Sequence, residues 1–524
     1  MIKKVENETT SPMILIVLDG WGIGDPNRGN AISLSKTPVF NSLIKKYPNT
    51  TLYAHGKYVG LPDGQVGNSE AGHMNIGAGR LVEQESVIIS KSIDNGTFVK
   101  NSAFLGAIRH ARKMNSKIHL MGMLSNGQSP HSDPGHLIAL IEMLKNNNVK
   151  DAYLHLYTDG RDSPKYASLK LIQDLEKNHL GNFKIATIVG RFYAMDRKKK
   201  WSRTEKTFNT LTINKGKMAS TAIGAITEAY NRGESDEYIE PCIITNDEKT
   251  NTRIEDGDSV IFFNLRSDRS RQLTKAFMQH GFDVKNPGAF LRGKKLEHLY
   301  FVAMTDFGPD LSEVLTAYPG IDITNTLPMA LANFKQLYLA ETEKYAHVTY
   351  FFNGGYSGTV AGEDQVMVPS PDVKSYDETP SMSSSELTNV VLENIKNNKA
   401  KYDFTFVNFA APDMIGHTGN ITAGIKCCES VDVCLGRIVE AYLNINGTVL
   451  VTADHGNIEE MINLETEEVY TEHTTNKVPF ILINKNNNKN ITLRKNGSLC
   501  DIAPTILKLL DIEKSKEMSG KSLI

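Results

Sequence analysis

The sequence has few of the features that mark several large classes of protein. Its five cysteines form no C-x-x-C pair, so the sequence indicates no disulfide framework and favours a reducing compartment. The formal net charge of -2 gives no overall attraction to nucleic acid or acidic membranes. Apolar runs such as MILIVL are too short to span a bilayer, and the first residues, MIKKVENETTSP, lack the apolar core of a signal peptide. We therefore expect a cytoplasmic protein with no nucleic-acid partner and no membrane segment.

The sequence does contain a repeated alternation of short apolar runs and amphipathic stretches. Its length of 524 residues predicts two or three domains. Most of the apolar runs are nearly continuous, as in a parallel sheet that is covered on both faces. The predicted strands lie at 13–19, 117–124, 152–159, 184–190, 259–264, 299–306, 404–410, 447–454 and 479–484. This alternation predicts an α/β fold.

Three of the stretches between these runs predict helices. HLIALIEMLKNNN follows Gly135. SSELTNVVLENIKNN comes after Ser383, which stands three residues before Glu386, the spacing of a capping box. A third helix is indicated by apolar residues at steps of three or four, which form one face: Ile425, Cys428, Val431, Leu435, Ile438 and Tyr442.

The stretch DGQVGNSEAGHMNIGAGR, residues 63–80, holds five glycines and a single serine, Ser69. Glycine and asparagine favour turns, so we expect a loop here, in which a serine is most often a turn or cap residue. The alternative is that Ser69 is a nucleophile. The pattern is not the G-x-S-x-G elbow, because Ala71 stands where that motif has glycine. A nucleophilic Ser69 therefore needs another activator, and a metal ion is one.

Aspartate and histidine collect where the apolar runs stop. The residues are Asp19, Asp413, His417, Asp454, His455 and His473. Because ligands of α/β sheets bind beyond the carboxyl ends of the strands, Asp19, Asp413 and Asp454 can meet in space. Each residue also has an ordinary alternative, since such an aspartate often caps a helix and a lone histidine often only forms a hydrogen bond. Together with Ser69 the set is large enough for two metal ions, and its mixed ligands suit Mn or Zn better than Ca or Mg.

A second group of residues is basic and lies in the middle of the chain. The segments GRD, GRFYAMDR and NLRSDR each follow a predicted strand and supply Arg161, Asp162, Arg191, Arg197, Arg266 and Arg269. Any one of these arginines is expected to form an ordinary surface salt bridge. Three such segments, each after a strand, favour a shared site for a phosphate or carboxylate.

Nine motifs in a fixed order carry a resemblance to a known family. They are LDGWG, GNSEAGHMNIGAGR, DGRD, GRFYAMDR, NLRSDR, ETEKYAHVTYFFNGG, PDMIGHTG, TADHGN and HTTN. In these motifs the sequence resembles the cofactor-independent (2,3-bisphosphoglycerate-independent) phosphoglycerate mutases of the alkaline phosphatase superfamily. The resemblance implies a split, alkaline-phosphatase-like α/β domain at 1–83 and 319–524. It also implies an inserted α/β substrate-binding (transferase) domain at 84–318.

The resemblance also implies roles for individual residues. One divalent metal would be held by Asp413, His417 and His473, and a second by Asp19, Ser69, Asp454 and His455. Manganese is the expected ion, with Mg, Zn and Co as alternatives. The substrate, 3-phosphoglycerate or 2-phosphoglycerate, would be bound by His131, Arg161, Asp162, Arg191, Arg197, Arg266, Arg269 and Lys344. A monomer is expected.

The family chemistry makes Ser69 a nucleophile that a metal activates. Ser69 would take the phosphoryl group of 3-phosphoglycerate, and the 2-hydroxyl of the retained glycerate would take it back. Asp162 would shuttle the hydroxyl proton, and Lys344 would bridge to the phosphoryl group. This places the reaction in glycolysis and gluconeogenesis.

The sequence departs from the family pattern near His131. The family usually has S-D-G-G-V-H-S-H, whereas SNGQSPHSD here is one residue longer and has Asp133 in place of the second histidine. The nearest alternative function is a phosphatase or phosphopentomutase of the same superfamily, which would not need the three arginine segments. A non-catalytic metal- or phosphate-binding protein would be expected to have lost Ser69 or some of the ligands.

Overall fold

The computed structural model describes residues 11–245, 251–293, 295–320, 323–397, 399–485 and 491–524. The chain divides into two compact units. Unit 1 comprises Met1–Gln84 and Ile321–Ile524, and unit 2 comprises Glu85–Gly320. Each unit has a large sheet of its own, so the predicted α/β class is confirmed.

The strands follow the chain from unit 1 into unit 2 and back. The first segment of unit 1 contains β1 (Met13–Leu18) and β2 (Asn49–Tyr53). Unit 2 contains β3 (Ile118–Leu124), β4 (Ala152–Thr158), β5 (Lys184–Gly190), β6 (Lys217–Ala219), β7 (Cys242–Ile244), β8 (Ser259–Phe262), β9 (Tyr300–Thr305) and β10 (Leu315–Tyr318). The second segment of unit 1 contains β11 (Gln336–Glu341), β12 (Asp364–Val368), β13 (Ile395–Lys396), β14 (Lys399–Ala400), β15 (Phe404–Phe409), β16 (Thr448–Thr452), β17 (Val478–Ile483) and β18 (Gly497–Ser498).

The helices are distributed in the same way. The first segment of unit 1 has α1 (Ala31–Leu34), α2 (Pro38–Lys46) and α3 (Ser69–Ala78). Unit 2 has α4 (Glu85–Asp94), α5 (Ser102–Met114), α6 (Pro134–Asn146), α7 (Ser168–Asn178), α8 (Arg191–Ala194), α9 (Trp201–Ile213), α10 (Ala222–Asn231), α11 (Ser267–Met278) and α12 (Phe282–Lys285). The second segment of unit 1 has α13 (Leu327–Ala330), α14 (Ser384–Glu393), α15 (Ala411–Gly416), α16 (Ile421–Asn444) and α17 (Ile502–Leu509).

The sheet of unit 1 has the strand order β12-β11-β15-β1-β16-β17-β2-β18. Its first five strands are parallel, and β17 then runs antiparallel to both β16 and β2. The central strand β1 is buried along its whole length, because helices cover both faces of a parallel sheet. Because β15, β1 and β16 are parallel neighbours, their carboxyl ends lie side by side at one edge of the sheet.

The sheet of unit 2 has the order β10-β9-β8-β3-β4-β5-β7-β6. Among the described strand pairs of this sheet, β5 and β7 are antiparallel and the others are parallel. Alternate residues of β3 enter different hydrophobic clusters: Leu120 packs in one and Met121 in the other. This alternation follows from the two-residue period of a strand and shows that the sheet is covered on both faces.

The predicted elements agree with the structure except at two places. All nine apolar runs contain strands, and the three amphipathic stretches contain α6, α14 and α16. The capping box at Ser383 is wrong, because the Ser383 hydroxyl donates to the carbonyl of Pro369 at 2.7 Å instead of capping α14.

The second error is the loop expected over 63–80, where Ser69–Ala78 form α3. The helix begins after Asn68, whose side chain accepts a hydrogen bond from the backbone N–H of Ala71 at 2.8 Å. Nearly every side of α3 is buried, so its sequence lacks the polar stripe that identifies a surface helix.

Candidate active site

The carboxylates of unit 1 gather at the edge where its central parallel strands end. Asp19 follows β1 directly, Asp454 follows β16 after one residue, and Asp413 lies in α15, which begins after β15. All three side chains are buried. Neighbouring parallel strands end at the same edge, which explains how residues so distant in sequence meet.

Ser69 is the first residue of α3, and its hydroxyl points into this group. Ser69 Oγ lies 3.1 Å from Asp19 Oδ1 and 2.9 Å from His455 Nε2. The close approach of α3 requires Gly72, since a Cβ there would lie 2.8 Å from the Asp454 side chain and backbone. The helix therefore brings Ser69 within reach of residues predicted as ligands.

His417 and His473 form a group with Asp413. Their Nε2 atoms lie 3.3 and 3.2 Å from Asp413 Oδ1, and 3.0 Å from each other. The Nδ1 atoms of His417 and His473 face the backbone carbonyls of Thr471 and Gly67 at 2.8 and 2.7 Å. A carbonyl only accepts, so each Nδ1 carries a proton, and the two Nε2 atoms that converge on Asp413 are the ones available to a metal.

The second predicted set is also brought together. His455 Nε2 lies 3.5 Å from both Asp19 Oδ1 and Asp454 Oδ2, in addition to its contact with Ser69. Asp454 Oδ2 is buried and has no hydrogen-bond partner among the described residues. Burial alone would lower the pKa of His455, but the surrounding carboxylates, Asp454 foremost, raise it to about 9. An acceptor left without a donor and a surplus of negative charge are what a divalent cation satisfies.

Lys344 lies between the two sets of unit 1. It ends a short 3-10 turn after β11, and its Nζ donates to Asp19 Oδ1 and Asp413 Oδ2, each at 2.6 Å. It also donates to Ser69 Oγ at 2.7 Å. Burial alone would lower the pKa of Lys344, but these two carboxylates outweigh it and hold the pKa above its usual value.

In unit 2, the buried Arg191 pairs with the partly exposed Asp162 and with a second, buried aspartate, Asp159. Arg191 Nη1 lies 2.7 Å from Asp162 Oδ2 and 2.5 Å from Asp159 Oδ1. Ser129 donates to the same Asp162 Oδ2 at 2.7 Å. Burial would raise the pKa of Asp162, but Arg191 lowers it, so the carboxylate is ionised. Asp159 also accepts from the backbone N–H of Arg161 at 3.2 Å and so shapes the loop that carries both predicted residues.

The other predicted residues of unit 2 surround Asp268. Arg197 Nη1 lies 2.7 Å from Asp268 Oδ2, while Arg266 Nε and His131 Nδ1 lie 3.7 and 3.9 Å from Oδ1. Arg269 donates to the carbonyl of Met195 at 3.3 Å.

Several other arginines lie near Arg269, so the charge around it is mainly positive. Burial, and then the nearby Arg191, Arg197 and Arg161, lower the pKa of Arg269. The side chain of Arg161 is more than half exposed, and Glu237 lies 3.9 Å from it. Such a group of guanidinium ions is suited to bind an anion by forked hydrogen bonds.

The structure explains two features of the segment SNGQSPHSD: the presence of Asp133 and the position of His131. Asp133 is the N-cap of α6 and accepts from the backbone N–H of Gly135 at 2.7 Å. The carbonyl of His131 accepts from the backbone N–H of Leu265 at 2.8 Å, which fixes the segment beside NLRSDR. His131 is thereby held near Asp268 although the segment is longer.

Comparison with known proteins assigns the chain to a family. The sequence model of the Metalloenzyme superfamily matches residues 11–514. The chain is 47% identical over 517 residues to the 2,3-bisphosphoglycerate-independent phosphoglycerate mutase of Clostridium kluyveri. The aligned residues cover 98% of this chain and 99% of that protein. The corresponding mutase 1 of Methanosarcina barkeri is 46% identical over 523 residues, or 99% of each chain.

The chain belongs to the family of 2,3-bisphosphoglycerate-independent phosphoglycerate mutases. The predicted resemblance is therefore confirmed. A solved structure of Leishmania mexicana phosphoglycerate mutase, determined at low cobalt concentration, covers 99% of this chain and 98% of its own at 28% identity, with a TM-score of 0.76. Within the part of the chain that is described, no helix is both long and apolar enough to cross a membrane.

Two polar residues beside Asp19 were not among the predicted site residues of this phosphoglycerate mutase family member. Both lie in segments that had been singled out for other residues. His73 is in GNSEAGHMNIGAGR, four residues after Ser69, and Asn408 is in FTFVNFA. Both side chains are buried beside Asp19. Two signals could have found them: the four-residue spacing from Ser69, which puts two side chains on one helix face, and a polar residue inside an apolar strand.

Proposed function

We propose that this protein interconverts 3-phosphoglycerate and 2-phosphoglycerate through a phosphoserine at Ser69, without 2,3-bisphosphoglycerate. The observation that carries this proposal is the environment of Ser69 Oγ, which contacts Asp19, His455 and Lys344 at 3.1, 2.9 and 2.7 Å. A serine in an ordinary turn or cap has no need of three buried ionisable partners. Family membership supports the same reaction and its place in glycolysis and gluconeogenesis.

Two divalent metal ions fit the residues around Ser69. Asp413, His417 and His473 would hold one. Asp19, Ser69, Asp454 and His455, whose ligand atoms lie within 3.5 Å of one another in pairs, would hold the other. Imidazole and carboxylate together favour Mn, with Mg, Zn and Co as alternatives. When bound, such ions lower the pKa of a coordinated hydroxyl and offset the negative charge of a phosphoryl group.

The residues of unit 1 then have distinct tasks. Lys344 donates a charged hydrogen bond to the oxygen of Ser69, which favours the alkoxide over the neutral hydroxyl. The same ammonium is placed to attract a phosphoryl oxygen once the serine is esterified. Ser69 attacks phosphorus, the bond from phosphorus to the 3-oxygen of glycerate breaks, and the 2-hydroxyl later reverses the transfer.

In unit 2 we propose that Asp162 moves the glycerate protons. Its Oδ2 is engaged by Arg191 and Ser129, whereas no hydrogen bond to Oδ1 occurs among the described residues. Oδ1 is thus the oxygen that can accept a proton from one glycerate hydroxyl and return it to the other. The basic group, with His131, Arg161, Arg191, Arg197, Arg266 and Arg269, would bind the carboxylate and phosphate of the substrate.

The proposal extends to domain roles, oligomeric state and location. We assign residues 1–83 and 319–524 to the metal and serine domain, and residues 84–318 to substrate binding. A monomer suffices, because one chain supplies every residue named for the reaction. The five cysteines are free and buried, which suits a reducing compartment such as the cytoplasm.

Product analysis tests the proposed function. The protein is incubated with 3-phosphoglycerate and Mn²⁺, without 2,3-bisphosphoglycerate, and both 2-phosphoglycerate and free phosphate are followed. We expect 2-phosphoglycerate with little free phosphate, and its loss with a chelator or in Ser69→Ala. Ser42→Ala, at an exposed position in α2, is the matched control. Free phosphate as the main product would instead indicate a phosphatase and overturn the role assigned to the basic group.

A further inference from the structure

The ring of His73 connects the nucleophile to a candidate metal ligand. His73 Nδ1 lies 2.9 Å from the carbonyl oxygen of Ser69, and His73 Nε2 lies 3.0 Å from Asn408 Nδ2. Asn408 Nδ2 in turn lies 2.7 Å from Asp19 Oδ2. His73, Asn408 and Asp19 are fully buried, so no solvent competes for these hydrogen bonds.

The two ends of this chain of hydrogen bonds determine where every proton lies. At one end the Asp19 carboxylate only accepts, so the amide NH₂ of Asn408 must face it and place its other hydrogen toward His73. His73 Nε2 must then accept, which leaves the proton on Nδ1. At the other end the Ser69 carbonyl also only accepts, and this independently requires a proton on His73 Nδ1.

This assignment also affects Asp454. Its Oδ2 lies 3.3 Å from His73 Nδ1 but forms no hydrogen bond within the described part of the chain. The one N–H of the His73 ring is directed to the Ser69 carbonyl, so it does not block this oxygen. The ring therefore packs against Asp454 and leaves Oδ2 free for a cation.

We propose that His73 and Asn408 are positioning residues for the reaction. Through its hydrogen bonds at Nδ1 and Nε2, His73 ties the first turn of α3 through Asn408 to Asp19. The link fixes the distance between the Ser69 hydroxyl and the carboxylates of Asp19 and Asp454. The proposal rests on the proposed function, since it assumes that Ser69 and these carboxylates act together on a metal and a phosphoryl group.

A purely structural role would look different, and α3 provides an example for comparison. Asn75 is fully buried on the same helix, and its amide donates to the carbonyls of Val59 and Ala71 at 2.9 and 2.8 Å. These hydrogen bonds hold α3 in place without touching Asp19, Asp454 or Ser69. Asn75→Ala is therefore the matched control for variants of His73 and Asn408.

The first test reads the proton position directly in the unaltered protein. Histidine labelled with ¹⁵N is introduced, and the His73 signals, assigned by their loss in His73→Gln, are recorded in the Mg²⁺-loaded protein. We expect the proton on Nδ1 and an unprotonated Nε2. A proton on Nε2, or on both nitrogens, would overturn the proposal whatever the variants do.

The second test measures Mn²⁺ affinity from the electron paramagnetic resonance signal of free Mn²⁺, together with kcat and KM. His73→Phe removes both hydrogen bonds, and we expect Mn²⁺ affinity and kcat to fall by about 10- to 100-fold. KM for 3-phosphoglycerate should stay nearly constant, because the substrate group is not altered. His73→Gln keeps an acceptor for Asn408 and should restore part of the loss. Asn408→Ala should resemble His73→Phe, and combining the two should add little.

The outcomes separate this proposal from the proposed function. If His73→Phe and Asn408→Ala bind Mn²⁺ as Asn75→Ala does, the positioning role is wrong even when the unaltered protein forms 2-phosphoglycerate. If the unaltered protein forms no 2-phosphoglycerate but both variants lose Mn²⁺ affinity, the reaction is wrong and the positioning of the ligands stands.

Discussion

Lys344 Nζ lies 2.7 Å from the hydroxyl oxygen of Ser69, inside a group of buried carboxylates. The same nitrogen donates to Asp19 and Asp413, each at 2.6 Å. One ammonium ion therefore joins the nucleophile to one member of each candidate metal set. Divalent cations bound to these sets would share the task of neutralising the carboxylates with Lys344.

Replacing Lys344 by methionine should destabilise the metal-free protein strongly. Asp19 and Asp413 would lose their common partner in a buried setting, which typically costs roughly 3–5 kcal/mol of the free energy of unfolding. Bound Mn²⁺ should recover part of this loss, because it also neutralises the carboxylates. Urea unfolding with chelator and with Mn²⁺ measures both effects.

The control for this change is Lys57→Met. Lys57 pairs with Asp63 on the surface, where both side chains are more than half exposed, so the change should alter stability by no more than about 0.5 kcal/mol. Equal stability of Lys344→Met and Lys57→Met without metal would show that Lys344 is not the common partner of Asp19 and Asp413.

Asp162→Asn should lower kcat by about 10²- to 10⁴-fold, with a smaller effect on KM. The amide oxygen can still accept from Arg191 and Ser129, so the loop keeps its shape, but the residue no longer takes up a proton. Steady-state kinetics with 3-phosphoglycerate check this. Asp174→Asn, at an exposed site of α7, serves as control. An Asp162→Asn enzyme with normal kcat would remove Asp162 from the proton transfer.

The sequence predicts the central strands because their burial on both faces appears as continuous apolar runs. It does not predict strand direction: PFILIN resembles the others, yet β17 runs antiparallel to β16. Nine of the 18 strands in the described part of the chain lie outside the predicted runs. Two examples are β2, where NTTLY is largely polar, and β11, where QLYLAE has a short apolar stretch between polar ends. These strands are stabilised by their neighbours rather than by their own pattern.

The composition of the candidate site was predictable, but its internal contacts were not. Strand ends and motifs pointed to Asp19, Asp413 and Asp454, and the structure brings all three to one edge. They did not reveal that Lys344 pairs with two of them, or that His73 turns its ring toward Ser69. The direction of a buried side chain depends on tertiary packing, for which one sequence carries no periodic signal.

Unit 2 holds a chain of buried hydrogen bonds that should make it sensitive to acid. His119 Nε2 lies 3.1 Å from Asp258 Oδ2, and His119 Nδ1 lies 2.9 Å from His155 Nε2. His155 Nδ1 is 3.0 Å from the hydroxyl of Thr187. His119 donates from Nε2 to the carboxylate and accepts at Nδ1 from His155, and His155 accepts at Nδ1 from the Thr187 hydroxyl. Both rings are then neutral, and a further proton on His119 would set two N–H groups against each other.

The pH dependence of stability follows from this arrangement. Burial is the main cause that lowers the pKa of His119 and His155, and the neighbouring His119 lowers that of His155 further. In the unfolded chain both titrate near about 6.5, so below that pH the unfolded state binds more protons. The free energy of unfolding should then fall by up to about 1.4 kcal/mol per pH unit for each histidine.

Urea unfolding in the presence of a chelator measures this loss. It is carried out at about pH 7.5 and about pH 5.5, on either side of the pKa of histidine in the unfolded chain. His155→Gln removes one titrating ring and should reduce the loss between these conditions. His280→Gln, at an exposed position, should leave it unchanged. An equal loss of stability in all three proteins would mean that the buried histidine pair does not cause the acid sensitivity.

His417→Ala should weaken Mn²⁺ binding by more than the about 10- to 100-fold that loss of an outer-shell partner typically costs, because a ligand itself is removed. His417 Nε2 lies 3.3 Å from Asp413 Oδ1, and its Nδ1 is held by the carbonyl of Thr471. Titration calorimetry with Mn²⁺ measures the affinity, with His110→Ala in unit 2 as control because its ring contacts the carbonyl of Gly257. Unchanged affinity in His417→Ala would exclude His417 as a ligand.

The most direct test of the central claim is to identify the residue that carries the phosphoryl group. The Mn²⁺-loaded protein is mixed with 3-phosphoglycerate, quenched in acid within one turnover and digested, and its peptides are analysed by mass spectrometry. We expect a phosphoryl group on Ser69, and none when Ser69→Ala is treated in the same way. Formation of 2-phosphoglycerate by Ser69→Ala, or a phosphoryl group on another residue, would contradict the assignment of Ser69 as the nucleophile.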